Sequence, residues 1–184
     1  GIHIFQNAVD LNDNIISGCQ ISGNTLADAG AEGFEGTLIG IQINGFSDFA
    51  GFEGRSVIEH CQITDNIMTS TITGKFVDGI IIFRTADITI NAVSCDGNSG
   101  GEVATGILVE NQPAFGARNP SRNIIISNST ANDNSAQDQA IGIGLLGALS
   151  AASGMLSASE NCTILNCQAN RNIAQTNGFG IVFG

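Results

Sequence analysis

The sequence predicts an all-β fold: a right-handed parallel β-helix of about five rungs, with three parallel sheets and loop insertions. Two columns of recurring residues and one recurring strand predict it. Five segments end on an asparagine: Asn24, Asn66, Asn98, Asn134 and Asn172. Eight residues before each stands the same residue, Ile16, Ile58, Ile90, Ile126 and Ile164. A short Gly-Ile strand alternates with these segments, as GIHI at 1–4, GIQI at 40–43, GIII at 79–82, GILV at 106–109, GIGL at 142–145 and GIVF at 180–183.

Each repeat starts with the strand that carries the isoleucine column. Three residues after the isoleucine come Cys19, Cys61, Val93, Ser129 and Cys167, and two further on come Ile21, Ile63, Cys95, Ala131 and Ala169. Period two fails between Ile16 and Cys19, so both face inward only if the chain bends between them. The residues at that bend are Gly18, His60, Ala92, Asn128 and Asn166. All but Ala92 are types that tolerate a left-handed backbone. Beyond the corner the outward face is polar: Gln20, Gln62, Ser94, Thr130 and Gln168. The asparagines that follow are expected to stack as a ladder, each amide bonding its neighbours and turn backbone groups, because buried polar groups need such partners.

The Gly-Ile strand closes the repeat. Its second and fourth residues form inward columns, Ile2, Ile41, Ile80, Ile107, Ile143 and Ile181 beside Ile4, Ile43, Ile82, Val109, Leu145 and Phe183. Its outward residues, His3, Gln42, Ile81, Leu108, Gly144 and Val182, are partly apolar and call for a cover. Successive glycines are 39, 39, 27, 36 and 38 residues apart, so the variable length belongs to loops. Phe34, Phe46, Phe49 and Phe52 in the insertions, and the apolar stretch 145–159, read as a short helix, suit the covering role. A leucine-rich repeat shares the I-x-x-C-x-I-x-x-N spacing. Its usual repeat is shorter than these spacings, and here a strand stands where its helix would be.

Composition narrows the function. Six Lys and Arg against 17 Asp and Glu give a net charge of −11, which repels nucleic acid and anionic lipid. No run is long and apolar enough to span a bilayer, so membrane insertion is not expected. The chain reads as one domain over 1–184, a piece of a longer protein whose rung ends would stack on further rungs or on another copy. Five cysteines are an odd set, and stacked Cys19 and Cys61 have parallel Cβ vectors, so buried free thiols are expected.

The segments ILNCQANRN and IIISNSTANDN resemble the parallel β-helix repeats of the pectate-lyase-like superfamily, and bacterial secreted and surface proteins that carry them. The resemblance spans nearly the whole chain and implies the fold, an extracellular or cell-surface location and carbohydrate as a ligand. It does not settle activity, since that fold hosts lyases, hydrolases, adhesins and stalks. The Asn-Thr-Asp, Asp-Asp, Gly-His-Gly and Arg-Ile-Lys signatures of its polygalacturonase-like hydrolases do not occur here. The only lysine, Lys75, and Asp78 in TGKFVDG read as solvated loop charges.

The remaining cluster is GFSDFAGFEGRSVIEH, 45–60, where Asp48, Glu53, Arg55, Glu59 and His60 lie on or beside one insertion. Two carboxylates with an arginine and a histidine can do acid–base work on a sugar. A lyase or glycoside hydrolase with its site over 46–55 is therefore the alternative to the reading favoured here, a structural or ligand-binding module without catalysis in this segment. His60 is already explained by its corner, and a chain without Trp or Tyr offers few rings for sugar stacking. Calcium would fit best at 96–102 or 132–138, but neither stretch matches an EF-hand or a β-roll nonapeptide, so no metal and no cofactor are expected.

Overall fold

The computed structural model describes residues 1–6, 14–27, 37–45, 55–69, 75–83, 85–110, 121–149, 156–157 and 159–184. These residues form an all-β parallel solenoid with no helix. A long sheet runs Ile2–Gln6, Thr37–Gly45, Phe76–Phe83, Val103–Glu110, Gln139–Leu146 and Asn177–Phe183, in that spatial order. An entry sheet stacks Asn14–Ser17, Ser56–Glu59, Ala86–Asn91, Arg122–Ser127 and Thr163–Leu165. Every pair in both is parallel, which crossovers as long as a whole turn permit.

Register follows the repeated columns. Ile16, Ile58, Ile90, Ile126 and Ile164 lie opposite one another across the entry sheet. Ile2, Ile41, Ile80, Ile107, Ile143 and Ile181 do so across the long sheet. Ile58, Ile90, Ile126, Ile80, Ile107 and Ile143 are all completely buried. Ile16 keeps 8% of its surface and Ile181 keeps 44%. About three turns are thus enclosed, against the five expected, because a rung is covered only where another stacks on both sides.

The corner column has the expected backbone. Gly18, His60, Ala92, Asn128 and Asn166 take φ of 65°, 52°, 52°, 50° and 51°. Ala92 shows that position in the stack, not residue type, imposes the conformation. A second left-handed column stands directly before the asparagines, at Gly23, Asp65, Gly97, Asp133 and Arg171. It turns the chain into two-residue exit strands, Thr25–Leu26, Ile67–Met68, Ser99–Gly100, Ser135–Ala136 and Ile173–Ala174, which form a sheet of their own. Each turn therefore has one more short strand than the three expected.

Two further expectations are corrected. The described ends of the 145–159 stretch are strands, Ala148–Leu149 antiparallel to Leu156–Ser157, rather than a helix. Lys75 and Asp78 are not solvated loop charges: Lys75 is 8% exposed, and Asp78 is 2% exposed inside the strand Phe76–Phe83. That strand begins before its Gly-Ile motif and bends at Gly79, so that Val77 and Ile80 are both buried in the interior. The glycine column has a packing cause. A Cβ on Gly106 would lie 2.6 Å from Ala131 Cβ, and one on Gly142 would lie 2.6 Å from Ala169 Cβ. The small-residue column across the interior meets the glycines there, so neither side has room to grow.

Candidate functional site

The polar columns are built into the stack. Asn24, Asn66 and Asn134 donate Nδ2–H to the Oδ1 of the next asparagine at 2.8, 2.9 and 2.9 Å. Asn98 Nδ2 donates to the Ile63 carbonyl at 3.0 Å, while the Asn98 backbone N–H donates to Asn134 Oδ1 at 3.0 Å. Asn66, Asn98 and Asn134 are almost wholly buried, so each amide replaces water for its neighbours' polar groups.

Charged side chains outside the ladder also bond between rungs. Asp96 accepts from Ser94 Oγ at 2.5 Å, Thr130 Oγ1 at 2.7 Å and the Asn132 backbone N–H at 2.6 Å. Arg171 donates twice to Asp133, each at 2.6 Å, and this forked bond holds the Asp133 carboxyl below its ordinary range. Glu59 accepts from Ser17 Oγ at 3.1 Å. Arg55 and His60 are exposed, at the start of an entry strand and at its corner. Asp48 and Glu53 lie outside the described residues. Among the described residues, no group of three or more His, Cys, Asp or Glu is placed to hold a metal ion. The five cysteines carry no disulfide, and burial pushes the Cys95 thiol well up.

Two features were not read from the sequence. The first is a shallow groove of about 370 Å³ along the first corner, lined by His60, Cys61, Gln62, Ala92, Val93, Ser94, Asn128 and Thr130. Its signal was the single alanine between His60 and Asn128 in the corner column. The second is a buried acid on the outer face of the long sheet, where Asp78 lies in register with Ile39 and Thr105, and Ile141 follows. Ile81, Leu108 and Ile141 are 3–6% exposed around it. Burial pushes the Asp78 carboxyl up to about 7, against the pull of the Thr105 hydroxyl that donates to it at 2.5 Å, and the Glu110 charge adds to the rise. Its signal was one acid in an otherwise uncharged column.

No family model matches the chain, and no curated protein or solved structure matches it.

Proposed function

We propose that the chain is a structural or ligand-binding module of a larger secreted or surface-displayed protein, wound right-handed in the pectate-lyase-like manner, with no catalysis in this segment and no cofactor. One observation carries this reading: several described polar side chains bond from rung to rung. The asparagine ladder, Asp96, the Asp133–Arg171 pair and Glu59 all hold neighbouring turns together. A stack so tied presents a long polar face of fixed spacing, suited to an extended partner such as a polysaccharide. The last rung exposes Ile173, Ile181 and Phe183 at 66%, 44% and 67%, an apolar end suited to packing against another copy.

A glycan array run beside a polysaccharide-degradation screen tests the reading. Binding without turnover is the expected result. New reducing ends or unsaturated products, lost in Asp48→Ala or Arg55→Ala, would establish the lyase or hydrolase alternative instead.

A further inference from the structure

We propose that the notch over Ala92, in the groove along the first corner, binds one ring of a neutral saccharide. This rests on the reading of the chain as a binding module and gives that module a site. Ala92 holds a left-handed φ of 52° where Gly or Asn would sit with less strain. What alanine supplies is a gap: His60 and Asn128 stand one rung to either side of it, so they are separated by two strand spacings, about 10 Å.

The polar groups around that gap are complementary to hydroxyls. Ser94 and Thr130 give their hydroxyl hydrogens to Asp96, which leaves their oxygens as acceptors. Asn128 uses Nδ2 on Asn91 at 2.9 Å and has a second N–H left to donate. The side chains of His60 and Gln62 make no hydrogen bond to a described residue, unlike the ladder amides. A sugar hydroxyl donates and accepts at once, so it meets both kinds of group. The Ala92 methyl gives a small apolar contact for the C–H face of a ring, while Val93, 2% exposed, packs into the core behind it. Asp96 behind the wall and the net charge of −11 favour a neutral sugar over a uronate.

The test titrates the whole chain with cellopentaose, xylopentaose and mannopentaose, and with trigalacturonate as the acidic probe, following backbone amide shifts. At least one neutral probe should move the amides of 60–62, 92–94 and 128–130, and trigalacturonate should not. Gln62→Ala should weaken that binding about fivefold, the loss of one net hydrogen bond. Ala92→Leu should abolish it by filling the notch, with far-UV circular dichroism checking that the variant folds. Gln20→Ala, on the same polar row but outside the groove, should change nothing. Saccharide binding that survives both Gln62→Ala and Ala92→Leu would overturn the notch while leaving the module reading intact. No shift with any neutral probe would overturn the notch, and a silent glycan array as well would remove the saccharide-binding reading with it.

Discussion

Asp78→Asn should make the protein more stable at alkaline pH and remove much of its pH dependence. Asp78 is 2% exposed and titrates at about 7 in the folded chain, against an ordinary value of 3.8. A carboxyl raised by folding favours the native state fully below its unfolded pKa, and that contribution is lost as pH rises through the folded value. The separation is roughly 3 pH units at about 1.4 kcal/mol each, so the parent should lose about 4 kcal/mol between about pH 4 and pH 8 through this residue. Glu110, also raised by burial, adds to the slope in the same direction. The difference between parent and variant isolates Asp78, because asparagine keeps an acceptor for the Thr105 hydroxyl but carries no charge. Urea unfolding followed by far-UV circular dichroism across that pH range measures it. The variant should gain on the parent steadily up to neutrality and then hold a constant advantage. A parent whose stability rises with pH, and falls behind no variant at pH 8, would mean that a cation holds the carboxylate ionised and that burial does not dominate.

Ile90→Ala, at a wholly buried position of a middle rung, should cost about 2–5 kcal/mol in the same urea assay. Ile15→Ala, one residue from the core column but 69% exposed, should stay within about 0.5 kcal/mol. A larger cost at Ile15 than at Ile90 would mean the inward and outward faces are exchanged. Asn98→Ala should cost at least about 1–3 kcal/mol by stranding the Asn66 amide and the Ile63 carbonyl, both buried partners of that side chain. A neutral substitution there would show that the ladder contributes nothing to stability.

What could be read in advance was whatever repeats as an identity. Ile58 over Ile90 and Ile80 over Ile107 are legible because stacking places like on like, and the register follows. The first corner was legible from Gly18, Asn128 and Asn166. The second was as open to reading, since Gly23, Asp65, Gly97 and Asp133 are types enriched in the left-handed region, and only at Arg171 does the stack impose φ on an unusual residue. Exit strands of two residues are too short to show alternation. Asp78 was misread because TGKFVDG has the composition of a loop, while the long strand begins at Phe76, before the glycine that marks it. The groove depends on the relative size of side chains from three different rungs, and no one segment contains that comparison.

Residues about 30–40 apart in sequence should be adjacent in space, one rung per repeat, and pulsed electron spin resonance between paired nitroxide labels measures that spacing. Labels belong on the outward polar row, where Gln20, Gln62, Ser94, Thr130 and Gln168 succeed one another in register, the glutamines exposed and Ser94 and Thr130 half-buried. With Gln20→Cys as the fixed site in a background whose native cysteines are replaced by serine or alanine, the backbone separation should grow by about 4.8 Å per rung, to about 14 Å at Thr130→Cys and about 19 Å at Gln168→Cys. Distances that increase evenly with rung number, whatever the intervening loop length, are the result expected of a parallel β-helix. A separation that fails to grow from Gln62 to Gln168, or that follows the number of intervening residues instead, would contradict the stack.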